Sequence, residues 1–103
     1  MIKHIVMFKL KNNANGQSKE ANAVELKKLL EQLNGKIDGL LSLEVGLPLT
    51  SDIPNYSNAD AILYSELENA QALENYYPHP EHVKVLPFVK SVISERRVVD
   101  YEI

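Results

Sequence analysis

Ile2-Lys3-His4-Ile5-Val6-Met7-Phe8-Lys9-Leu10 is the stretch on which the fold turns. Successive side chains of a strand point to opposite faces, so alternation sends Ile2, His4, Val6, Phe8 and Leu10 to one side and Ile5 and Met7 to the other. The strand is apolar on both faces and must be covered on both. A chain of 103 residues has a single domain, residues 1–103, with which to do so, and at that size a second subunit helps to stabilise it.

Beyond this strand, Lys11 to Gln17 has turn composition, with Asn12-Asn13 and Asn15-Gly16. From Ser18 to Asn34 the period changes. Ala23, Leu26, Leu30 and Leu33, with Leu29 beside them, recur at helical spacing between a Ser18 N-cap and an Asn34-Gly35 stop. Leu40 to Leu49 alternates again, placing Leu41, Leu43, Val45, Leu47 and Leu49 opposite Ser42, Glu44 and Gly46. Thr50 to Asn58, with Pro54, is a connecting loop. Ala59 to Leu67 is a third strand, with Ala61, Leu63 and Leu67 opposed to Asp60, Ile62, Tyr64 and Glu66. A short helix from Asn69 must stop before Pro78. Another starts at Pro80, with Pro87 expected to bend or break it, and Arg96 to Ile103 is a last strand.

Strand, helix, two strands, helices, strand is the order of an α+β, ferredoxin-like split βαβ fold: a four-stranded antiparallel sheet with helices on one face. The other face then has no helical cover. Ile5 and Met7, with a leucine row of the second strand, predict an apolar patch that a homodimer formed through the open sheet face would hide.

Composition removes several function classes. A net charge of −3, with basic residues dispersed apart from Arg96-Arg97, gives no footprint for nucleic acid. The absence of cysteine excludes a thiolate nucleophile and cysteine-ligated metal. The apolar run from Met1 to Phe8 is too short for a signal peptide and no stretch spans a membrane, so a cytoplasmic location is expected. There is no glycine-rich phosphate loop, and Ser18, Ser42 and Ser57 have no histidine–carboxylate context.

The chemistry is concentrated in Tyr76-Tyr77-Pro78-His79-Pro80-Glu81-His82-Val83. Proline is tolerated at the first helical position, so His79 falls at the N-cap and His82 in the first turn. The partial positive charge there disfavours imidazolium and favours a neutral ring that can accept a proton. In a functional role His82 is a general base and Tyr76 donates to a developing oxyanion. In a structural role His79 caps the helix while His82 bonds a neighbouring backbone group or Asp100. His4 points into the core, either as a satisfied core residue or, with Phe8 and His79, lining a pocket for a small apolar or aromatic molecule. Tyr64, beside Glu66, lines a cavity or faces solvent. Metal binding would need His79 and His82 to converge with His4 and a carboxylate such as Glu66 or Asp100, and neither metal nor cofactor is expected.

The strand from His4 to Leu10, the Ala59-Asp60-Ala61-Ile62-Leu63 strand, the Tyr76 to Val83 motif and the terminal Val98-Val99-Asp100-Tyr101 together resemble the stress-responsive A/B barrel, or Dabb, family over nearly the whole chain. The resemblance implies a dimeric α+β barrel. A plant polyketide cyclase of that family performs an aldol cyclisation without metal or organic cofactor. Through its His-Pro-x-His motif the resemblance implies that His82 is the base, Tyr76 its assistant and His4 the matching first-strand histidine. Tyr77 and Pro78 differ from the plant enzyme's aliphatic pair, so its substrate does not carry over. Related dimeric barrels include cofactor-free monooxygenases. Proton abstraction and cofactor-free oxygenation are therefore both expected chemistries, beside a non-catalytic stress protein whose assembly is its functional unit.

Overall fold

The computed structural model describes residues 1–50 and 56–103, so the central part of the expected Thr50 to Asn58 loop lies outside the described residues. The elements are β1 (Ile2–Leu10), β2 (Asn13–Ala14), β3 (Gln17–Ser18), α1 (Lys19–Glu31), β4 (Leu40–Gly46), β5 (Ala61–Leu67), α2 (Ala70–Tyr76), α3 (Pro80–Val92) and β6 (Ile93–Glu102). The main sheet is antiparallel in the order β4-β5-β1-β6, the expected ferredoxin-like arrangement with helices on one face. β1 lies between β5 and β6, in registers running from Ile2↔Leu67 to Phe8↔Ala61 and from Ile2↔Glu102 to Leu10↔Ile93.

Alternation in β1 is realised as expected: Ile2, His4, Val6, Phe8 and Leu10 are buried, while Met7 is exposed. They meet Leu63 and Leu67 of β5, Leu43 and Val45 of β4, Leu26 and Leu30 of α1, and Val85, Val89 and Val92 of α3 in one core. Both long helices begin on the caps expected of them. Ser18 Oγ accepts from the Ala21 amide at 3.1 Å, and His79 Nδ1 accepts from the Glu81 amide at 3.1 Å. α1 is shorter than its periodicity suggests: it ends at Glu31, and Leu33 and Ile37 reach the core from the turns that follow.

Four local features differ from expectation. The Asn12 to Gln17 turn is a small hairpin whose central residues, Asn15 (φ 55°) and Gly16 (φ 74°), both take the left-handed conformation that a tight two-residue hairpin demands. In β4 the register shifts between Leu40 and Ser42, so that Leu40, Leu43 and Val45 are buried and Leu41 is 52% exposed. A bulge adds a residue and reverses the faces on one side of it, which strict alternation cannot foresee. Leu47 and Leu49 lie beyond the strand and are also exposed. α3 runs without a break through Pro87, and β6 follows it directly from Ile93. The carbonyl that Pro87 leaves without an amide is that of Val83, an exposed residue, so water can satisfy it.

The two edges of the sheet are unlike. Along β4, α1 and the turn after it supply side chains in place of a fifth strand. Asn34 donates to Leu43 O at 2.8 Å and accepts from Leu43 N at 2.9 Å, Glu31 accepts from Val45 N at 3.0 Å, and Lys27 donates to Val45 O at 2.6 Å. Along β6 no further strand is present among the described residues.

Gly39 (φ 85°) fixes the approach of β4 to α2, because a Cβ there would lie 2.6 Å from Ala72 Cβ. Gly16→Ala meets nothing within 4 Å and should cost only the left-handed backbone strain, about 1–2 kcal/mol. Gly39→Ala adds a steric clash and should cost more, about 2–4 kcal/mol in chemical denaturation. Equal losses in the two variants would show that the Gly39–Ala72 approach is not a constraint.

Candidate functional site

The α2–α3 junction and β1 bring four rings together. Pro78 cannot continue α2 and Pro80 opens α3, so Tyr76 and Tyr77 close one helix and His82 lies in the first turn of the next. His4 reaches the cluster from β1. Ring centroids are 4.5 Å apart for Tyr76 and His82, 5.6 Å for His4 and each tyrosine, 5.7 Å for the two tyrosines and 5.9 Å for Tyr77 and His82. The pairs are edge-on or tilted, as ring quadrupoles favour.

These rings wall a cavity of about 30 Å³, together with Val6, Phe8, Leu30, Leu63, Val85 and Arg96. That volume suits a water or two. The cavity therefore reaches His82, with Phe8 and Leu30 among its walls. A larger ligand could place only one end inside.

His82 is half-buried, and its Nδ1 lies 2.9 Å from the Tyr77 carbonyl. A carbonyl only accepts, so Nδ1 carries the proton and donates it, leaving the Nε2 lone pair as the basic site. Burial lowers the pKa of this imidazole below its ordinary value; the Tyr77 carbonyl opposes the shift, and the charges of His4, Arg96 and His79 reinforce it. A neutral His82 is expected from its place at a helix N-terminus, whereas here desolvation is the main cause.

Tyr76 is 1% exposed, and its ring packs against those of His4 and His82. Burial pushes its pKa well up, so the phenol keeps its proton and can only donate or accept a hydrogen bond. His4 is buried and paired: Nδ1 meets Asp100 Oδ1 at 2.5 Å, and Tyr77 Oη lies 3.5 Å from the same nitrogen. Asp100 faces His4 directly across the β1–β6 ladder, so of the two partners considered for His82 the backbone holds it and the carboxylate serves His4.

His4, Phe8, Tyr76 and His82 thus share one cavity. His79 is half-buried nearby but does not line it, and its Nδ1 is occupied as the helix cap. Tyr64 stands apart, on the open face of the sheet with Lys3 and Glu66. Its hydroxyl lies 3.0 Å from Glu66 and 2.5 Å from Lys3, and Lys3 pairs with Glu66. Lys3 is thus held on that face by both partners. Among the described residues no group of three histidines or acidic side chains could hold a metal ion, and no helix is long and apolar enough to cross a membrane.

Three cavity neighbours do not stand out by residue type. Tyr77 is a ring inside the motif itself, Asp100 is placed by strand register, and Arg96 shares the cavity face because it pairs with Phe8.

Comparison with known proteins agrees with the fold. A dimeric protein of unknown function with a ferredoxin-like fold from Bacteroides fragilis is 32% identical, with a TM-score of 0.83 over 99% of this chain and 95% of that one. A Dabb family protein from Mesorhizobium loti is 23% identical, with a TM-score of 0.68 over 99% and 95% of the two chains. A hydroxynitrile lyase from Passiflora edulis shares the fold at 14% identity, with a TM-score of 0.72 over 99% and 92%. No curated protein matches the chain. Residues 2–103 match the model of the stress responsive A/B barrel domain, and the chain belongs to that family, Dabb.

Proposed function

We propose that the four-ring cavity is an acid–base site for a small, largely apolar molecule. In it His82 takes a proton from a carbon next to a carbonyl, and Tyr76 hydrogen-bonds the oxygen on which charge develops. One observation carries this reading: a desolvated, neutral imidazole lies beside a buried phenol, their ring centroids 4.5 Å apart. In the step the C–H bond breaks, its electron pair moves into the new carbon–carbon double bond, and the carbonyl oxygen becomes an enolate. His82 Nε2 holds the proton as imidazolium. Tyr76 keeps its own proton and stabilises the enolate by donation. The same fold serves a lyase in Passiflora edulis, which supports its capacity to hold a small-molecule site.

A second reading has the ring cluster as packing and the assembly as the functional unit. The small cavity and the bond from His82 to the Tyr77 carbonyl favour it. The two separate in hydrogen–deuterium exchange at the methyl carbon of acetophenone, followed by NMR. The acid–base site should accelerate exchange, His82→Gln should remove the acceleration, and Tyr76→Phe should lower it by about 10²-fold. No acceleration by the wild type, or full activity in His82→Gln, would leave the packing role.

The same proposal includes a homodimer through the open sheet face, where Met7, Ile62, Val99 and Tyr101 are 39–51% exposed on neighbouring strands. Similarity to the dimeric Bacteroides fragilis protein supports it. The variant carrying Met7→Glu and Val99→Glu should run as a folded monomer in light scattering. A persistent dimer would move the interface elsewhere.

The lowered pKa of His82 also affects stability. Below its ordinary value of 6.5 the unfolded chain binds a proton that the folded chain resists, so stability is full above 6.5 and falls as the pH drops through the folded value. Tm measured against pH should decline on that acidic side less steeply in His82→Gln than in the wild type. Parallel curves would show that burial does not hold this ring neutral.

A further inference from the structure

Arg96 is a cation on the cavity face with no ion-pair partner among the described residues. It sits opposite Phe8 in the β1–β6 ladder and lines the cavity with Tyr77 and His82. It has no ion pair or hydrogen bond among the described residues. Its neighbour Arg97, on the other face, pairs with Glu95 at 2.9 Å, and the carboxylate nearest along the cavity face, Asp100, is engaged by His4.

Resting on the acid–base reading above, we infer that Arg96 binds the carboxylate of the ligand, so that the site takes small apolar or aromatic monocarboxylates. The size of the cavity requires this division. Only the reacting end of a ligand enters 30 Å³, and the remainder must lie across the mouth, where Tyr77 offers an aromatic face and Arg96 a planar fork of donors. A guanidinium fork matches a carboxylate with two parallel hydrogen bonds. A monoanion is favoured over a dianion because Arg96 is one charge and Asp100 lies on the same face: both act on Tyr77, in opposite directions.

Phenylacetate and its neutral isostere phenylacetamide test the assignment, each titrated against the intact protein with the His82 ring signals read by NMR. Phenylacetate should bind about tenfold or more tightly than the amide, since a hydrogen bond to a charged group contributes roughly 1.5–3 kcal/mol. Arg96→Gln should bring the acid down to the affinity of the amide, Arg96→Lys should retain part of the preference, and Arg97→Gln should change nothing. The preference should also fade as salt is raised. Arg96 is exposed, so its variants should keep the wild-type Tm. If both probes bind alike, or if Arg96→Gln leaves phenylacetate unaffected, the carboxylate assignment fails while the cavity remains a ligand site. If neither probe moves the His82 signals, the ligand site itself fails and the assignment falls with it.

Discussion

The register of β1 against β6 is the constraint from which the cavity follows. It places His4 opposite Asp100 and Phe8 opposite Arg96, so the strand that fills the core also carries a buried imidazole, its carboxylate partner and a cation to one face. A buried ring nitrogen without a partner loses the free energy of its water contacts, of order 1–3 kcal/mol. A slip of one residue would turn His4 to the open face and drive Met7 inward. Hydrophobic alternation and the His4–Asp100 bond therefore select the same pairing, and Ser65 Oγ, which donates to the His4 carbonyl at 3.0 Å, holds the strand from its other side.

The α2–α3 junction supplies the rest by a different device. The stretch Pro78-His79-Pro80 joins the tyrosines to α3, which opens at Pro80 and carries His82. Proline at either end leaves this linker few conformations, and His79 uses its ring to cap α3. The Tyr77 carbonyl, free at the end of α2, then fixes the tautomer of His82 from one turn away. The motif is dense because its residues divide the work among them. Two rings wall the cavity, two prolines set the chain direction, one histidine caps and the other faces the void.

Much of this is legible in the sequence, for reasons particular to each element. β1, α1 and β5 have unbroken periods, so their buried faces follow directly; Ser18 is a cap by residue type, and His79 is one because Pro80 follows it. The lowered pKa of His82 is foreseeable in direction but from a weaker cause, since burial depends on how β1 and α3 meet and composition does not record that. Tyr64 can be given a face but not a surrounding, and the structure gives it Lys3 and Glu66. The bulge in β4 leaves no sequence signal, because Leu40 and Leu41 are chemically alike and only the pairing with β5 decides which is buried. The partner of Asp100 and the place of Arg96 are hidden for a related reason: strand register, not residue type, sets their neighbours.

Size and basicity are linked at this site. Burial is the principal cause that keeps His82 neutral, and burial here means a cavity with room for a water or two. Enlarging it to enclose a whole ligand would admit more water, raise the affinity of the ring for protons and weaken the contrast between His82 and Tyr76. A ligand bound at the mouth avoids that loss, because its body excludes water while only its reacting end enters. An arginine at the rim and a tyrosine half in solvent are the groups such a ligand would meet first. The confined interior is then not an obstacle to chemistry but the condition for having an uncharged base, and recognition falls to the residues around the opening.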